Sequence, residues 1–121
     1  MIPGRRETQA PNVLEMIPAH AVDFEHHNGV THLRVPKIKH KWLKCLEHRL
    51  KQPYYMIHLD EYGTRVWNLM DDRLTVFDIG DKLQKEYGEK IAPVYERLGL
   101  FINMLAQRHF ITLRSIDGAD G

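Results

Sequence analysis

The side chains able to do chemistry are eight histidines, one cysteine and an acidic pair. The histidines are His20, His26, His27, His32, His40, His48, His58 and His109. Imidazole binds transition metals or shuttles protons. A metal helix needs two histidines one turn apart with a carboxylate at hand, and no such set stands on an apolar helix face. His26-His27 falls at the tip of a hairpin. Cys45 and His48 have the spacing of a nucleophile and its base, but no orienting acid or oxyanion element accompanies them. Cys45 reads as a small buried hydrophobe at the edge of a helix face. Asp71-Asp72 reads as a solvated turn, with no third ligand nearby. No phosphate loop and no nucleophile–base–orienter set appears, so the expectation is a protein without catalysis, cofactor or metal.

The elements that would carry these residues follow from periodicity and breakers. Residues 1–12, broken by Pro3, Gly4 and Pro11, read as a flexible arm. Two alternating runs, Ile17–Glu25 and Val30–Pro36, flank Asn28-Gly29, the strongest short-range hairpin signal. In residues 37–51, Ile38, Trp42, Leu46 and Leu50 recur at every fourth position. Lys41, Lys44, His48 and Lys51 fall on the opposite side, which predicts a basic amphipathic helix. Tyr54–Leu59 is aromatic and branched and reads as a strand. Asp60 caps a helix from Glu61 to about Met70, with Gly63 inside it predicting a close approach of another backbone. Thr75 and Asp78 form a capping-box-like start for a second helix, ended by Gly88. A third starts near Pro93 and runs to about Arg108, with Val94, Tyr95, Leu98, Phe101, Ile102 and Leu105 as its apolar stripe. Phe110–Leu113 closes as a strand, and residues 115–121 read as a flexible tail.

The order predicts one α+β domain over residues 13–114. It is winged helix-turn-helix-like, with a small N-terminal antiparallel sheet followed by a three-helix bundle. Trp67, Val76, Ile79 and Leu83 are its expected core.

Charge is uneven. The chain carries 17 Lys/Arg against 16 Asp/Glu, a net +1. Residues 34–51 hold seven of the basic groups and one acid, Glu47. That segment reads three ways: a solvated face, a docking surface for an acidic partner or an anionic membrane surface, or a contact for nucleic-acid phosphates. Asp78, Asp81 and Glu86 on the second helix argue against nucleic acid there. One cysteine excludes an intrachain disulfide and fits a reducing, cytoplasmic setting. No secretory signal and no 18-residue apolar run appears.

The run His58-Leu59-Asp60-Glu61-x-Gly63-x-x-Val66-Trp67-x-Leu69, Asp71, Thr75-Val76 and Ile79 resembles the PqqD-like family. Tyr87-Gly88 and the closing Leu105-x4-Phe110-Ile111 resemble it as well. The chain departs from the family where it has Asp71-Asp72-Arg73 in a turn that commonly holds Gly, and in the length of segment 37–51. The family comprises pyrroloquinoline quinone biosynthesis protein D and the recognition elements of ribosomally made, modified peptides. The resemblance implies a peptide chaperone that captures a precursor (leader) peptide and presents it to a modifying enzyme, often a radical SAM enzyme. It implies that the peptide adds as a strand to Tyr54, Tyr55, Met56, Ile57 and His58, beside Tyr95, Leu98, Phe101, Ile102 and Leu105 of the third helix. A sheet edge offers unpaired N–H and C=O groups, so such addition is physically sound. The readings from other classes are a winged-helix DNA-binding regulator and a structural module that dimerises by strand exchange.

Overall fold

A computed structural model describes residues 12–37, 48, 49, 51 and 54–116. The fold is α+β, with two small antiparallel sheets and three α-helices. The strands are β1 (Met16–His20), β2 (Asp23–His27), β3 (Val30–Pro36), β4 (Tyr54–His58) and β5 (Ile111–Ser115). The helices are α1 (Glu61–Leu69), α2 (Val76–Tyr87) and α3 (Val94–Gln107). The chain divides into two compact units, residues 22–67 and residues 1–21 with 68–121. Most of the basic helix expected over 37–51, all but the last residue of the arm 1–12 and the tail beyond Ile116 lie outside the described residues; Ser115, expected to open the tail, ends β5 instead.

In the unit of residues 22–67, β2, β3 and β4 form a sheet in that order. Asn28 and Gly29 both take positive φ, 55° and 78°, as the tight turn between β2 and β3 requires. Along β3, burial alternates: Thr31, Leu33 and Val35 are buried, while Val30, His32, Arg34 and Pro36 are half-buried. This period of two gives the sheet a covered face and an open face. Asp60 starts α1 as expected, its Oδ1 accepting from the Gly63 N–H at 2.7 Å. Gly63, Thr64, Val66 and Trp67 are buried.

Thr31, fully buried, anchors this packing. Its N–H donates to Thr64 Oγ1 at 3.0 Å, and its carbonyl accepts from the Leu59 N–H at 2.9 Å. Its hydroxyl lies 3.3 Å from His26 Nδ1. A buried hydroxyl is costly unless bonded, and here each polar group of Thr31 has a partner. Composition gave no hint of this Thr31–Thr64 link, because threonine is equally at home on a solvated strand face.

In the other unit, β1 pairs with β5 from Met16↔Ser115 to His20↔Ile111. A short 3-10 turn, Val13–Glu15, precedes β1, with Asn12 Oδ1 accepting from the Leu14 N–H. The expected single N-terminal sheet is therefore corrected to two sheets. The run taken as one strand, Ile17–Glu25, is broken at Ala21-Val22. The Ala21 N–H still donates to the Phe110 carbonyl at 2.9 Å, and the chain bends at Val22 before β2 begins.

Helix α2 opens with a complete capping box. Thr75 Oγ1 accepts from the Asp78 N–H at 3.0 Å, and Asp78 Oδ2 accepts from the Thr75 N–H at 3.1 Å. The preceding turn is held by Asp71 Oδ1, which accepts from the N–H groups of Leu74 and Arg73. Those bonds hold the Asp71 carboxyl below its usual range, the Leu74 bond most. Gly88 ends α2 at φ 61°, a left-handed value that suits glycine.

In the middle of α2, another chain segment comes close to Gly80. A Cβ there would stand 2.6 Å from Cε1 of Tyr95 and 3.3 Å from Cδ2 of Leu98. The Tyr95 ring is meanwhile stacked on Phe77, with centroids 5.1 Å apart and planes 8° apart. Gly80→Ala should therefore destabilise the protein. Overpacking costs about 1–3 kcal/mol, and the helix-propensity gain returns only about 1 kcal/mol. Chemical denaturation should show that loss, and should show it vanish when Tyr95→Ala removes the obstructing ring. A stabilising Gly80→Ala in the wild-type background would contradict the contact.

Candidate functional site: the outer edge of strand β4

β4 lies at the end of its sheet, and among the described residues no strand pairs with its outer side. The register with β3 is antiparallel: His32↔His58, Leu33↔Ile57, Arg34↔Met56, Val35↔Tyr55 and Pro36↔Tyr54. Residues in an antiparallel ladder alternate between those that bond to the neighbour and those that point away from it. One step past the ladder, the Leu59 N–H donates to Thr31 O, directly opposite. Counting back by two, Ile57 and Tyr55 bond inward to Leu33 and Val35. Tyr54, Met56 and His58 therefore direct their backbone N–H and C=O outward. The count from the other end of β3 agrees. The two-residue turn makes His27↔Val30 a bonded pair, which leaves Thr31, Leu33 and Val35 for β4.

The two faces of β4 differ. Tyr55 and Ile57 share the covered face with Val35 and Leu33, yet Tyr55 remains 56% exposed. The Lys37 ammonium sits 5.2 Å from its ring centre. Tyr54, Met56 and His58 share the open face with Arg34 and His32, and all three are exposed. Arg34 lies 5.7 Å from the centre of the Tyr54 ring and bonds Glu25 at 3.3 Å. Glu25 also pairs with His27 at 3.1 Å. These partners hold the Glu25 carboxyl below its usual range, His27 foremost. His32 is flanked by His58, ring centres 4.2 Å apart, and by His27 at 5.1 Å. Desolvation, then the like charge of His58 and His27, holds His32 below the ordinary histidine range. Among the described residues, no group of three or more His, Cys, Asp or Glu is arranged to hold a metal ion.

The third-helix residues named from the sequence divide. Leu98, Ile102 and Leu105 are buried in the unit to which they belong, the last two completely. They serve packing there and present no surface. Tyr95 and Phe101 are half-buried. Tyr95 also helps to line a hollow of about 340 Å³ with Gln84, Pro93 and Glu96. No described helix is long and apolar enough to cross a membrane.

Sequence reasoning found β4 but not its polarity, because alternation alone does not say which face is covered. The open-face row of Glu25, His27, His32 and Arg34 was likewise missed. Its signal was present in the alternation of Val30–Pro36, once the Asn28-Gly29 turn had fixed the pairing.

No curated protein and no solved structure matches the chain significantly. The family model described as Coenzyme PQQ synthesis protein D (PqqD) matches residues 48–111. The match begins before β4, takes in all three helices and reaches the first residue of β5. Since it covers more than half of the 121 residues, this chain belongs to the PqqD family.

Proposed function

We propose that the protein is a non-catalytic adaptor of peptide modification, which takes an extended precursor peptide onto the outer edge of β4 and presents it to a modifying enzyme. The observation that carries this reading is the outward row of Tyr54, Met56 and His58. Each of these residues offers one donor and one acceptor, and a guest strand satisfies them without disturbing the existing ladder. Tyr55 and Ile57 on one face and Tyr54, Met56 and His58 on the other supply contacts that choose the peptide. Family membership supports a role beside coenzyme PQQ synthesis, and a radical SAM enzyme is the partner type that the reading favours. The same reading places the protein in the cytoplasm, with a winged-helix arrangement of α1–α3.

Calorimetric titration with short precursor peptides encoded beside the gene tests it. A saturable complex with one of them is expected. A folded protein that binds none would overturn the reading.

A further inference from the structure

The outer edge of β4 also fits a second copy of itself. Open edges in soluble proteins are commonly blunted by a charge, above all lysine, or by proline, which keep copies from pairing. Tyr54–His58 has no Lys, Arg, Asp, Glu or Pro, and among the described residues no strand covers its outer side. Tyr54, Tyr55 and Met56 are exposed hydrophobics instead. The groups turned outward belong to Tyr54, Met56 and His58, evenly spaced about Met56. In an antiparallel ladder, bonded residues lie opposite one another and exchange both N–H···O bonds. A two-fold axis at Met56 therefore sets each Met56 opposite the other and each Tyr54 opposite a His58. Every outward group of both strands is then used. A slip to the next bonded register, in either direction, leaves one outward residue of each strand past the end of its neighbour.

The side chains agree with that register. Directly opposed residues share a face, with Cβ atoms about 5 Å apart. Tyr55 of each copy meets Ile57 of the other on the covered face. On the open face Tyr54 meets His58, and Met56 meets Met56. The pairs are aromatic or aliphatic throughout, and no His58 faces its own copy. The fixed charges of the open face lie farther back, with Arg34 on β3 and Asp23 and Glu25 on β2. Strands lie about 4.8 Å apart, so the two Arg34 residues would stand about 14 Å from each other and the β2 acids farther still. Both separations exceed the screening length of about 10 Å at 0.1 M salt. We propose that the protein forms a two-fold dimer, β4 against β4, in equilibrium with its monomer, and that a guest peptide displaces the second copy. The displacement rests on the strand-addition reading; the dimer does not. A strand of this length buries little, in the class under about 1,200 Å² that associates weakly. A dissociation constant on the order of 100 μM is expected. The edge therefore stays open in dilute protein, and an amide covered in half of the molecules exchanges only about twofold more slowly.

Sedimentation equilibrium of the full chain, from about 10 μM to about 1 mM, reads the monomer–dimer constant. Met56→Lys and Met56→Glu each set like charges face to face at the axis. Met56 is 42% exposed, so the fold accommodates either charge, and both variants keep the backbone groups a guest uses. Each variant alone should self-associate about three- to tenfold more weakly than wild type. An equimolar mixture should regain wild-type association, because Lys then faces Glu, and that rescue also shows both variants folded. Adding a precursor peptide encoded beside the gene should dissociate the wild-type dimer in step with binding. Wild type that stays monomeric to about 1 mM, or variants whose mixture associates no better than either alone, would overturn the β4 dimer and leave peptide capture standing. A dimer that persists with peptide bound would place the second copy elsewhere and overturn this inference. Rescue by the mixture in a protein that binds none of those peptides would uphold the dimer and overturn capture.

Discussion

Met56→Pro is expected to weaken guest-peptide binding by tenfold or more while leaving the fold in place. The Met56 N–H points away from β3, so proline there deletes a donor that the folded chain does not use. Proline is tolerated on an edge strand where the missing N–H would face outward. The preceding residue, Tyr55, is already extended, as a pre-proline position demands. A guest strand loses one hydrogen bond, about 0.5–1.5 kcal/mol. It also meets the pyrrolidine ring where its own carbonyl should lie. Together these losses reach or exceed the roughly 1.4 kcal/mol that makes a tenfold change. Ile57→Pro, one residue on, is the control with the opposite signature. Its N–H bonds toward Leu33, so that variant should break the sheet, at about 3 kcal/mol or more. Circular dichroism and calorimetric titration separate the two. A Met56→Pro protein that unfolds, or one that binds as wild type, would refute the alternation.

Trp67→Ala is expected to destabilise the protein by about 3–5 kcal/mol, the usual cost of removing a buried aromatic. Trp67 has no exposed surface and meets Phe24 edge to face, with ring centres 5.5 Å apart and planes 78° apart. Such pairs add about 0.5–1.5 kcal/mol beyond burial. A domain of this size has only about 5–15 kcal/mol in hand, so the variant stands close to unfolding. Urea denaturation would measure the loss. A cost under about 1 kcal/mol, the level of a surface substitution, would place the ring outside the core.

The parts of the fold that were legible in the sequence were those written in local signals. Asn28-Gly29 needs two left-handed residues and got them. Asp60, Thr75 and Asp78 cap helices because short polar side chains reach the first unpaired amides. The stripe Val76, Ile79 and Leu83 is buried as its spacing demanded. What the sequence concealed depends on pairing between distant residues. β1 takes β5 as partner, across about ninety residues, and no periodicity within either strand announces it. The apolar stripe of α3 looked wide enough to serve both core and groove. Leu98, Ile102 and Leu105 are consumed by packing, which leaves only its flanks exposed. A close approach that no pattern announced is seen at Gly80, because Tyr95 lies across it. The site itself was half legible. An aromatic, branched run announced β4, while the outward row along it follows only from its register with β3.

Amide hydrogen exchange along β4 tests the central claim most directly. In the unbound protein, Tyr55 and Ile57 should be protected, and Tyr54, Met56 and His58 should exchange quickly. With a precursor peptide bound, those three should slow together, in step with occupancy. Protection of all five amides before any peptide is added would contradict the account, as would fast exchange at Tyr54, Met56 and His58 in the saturated complex.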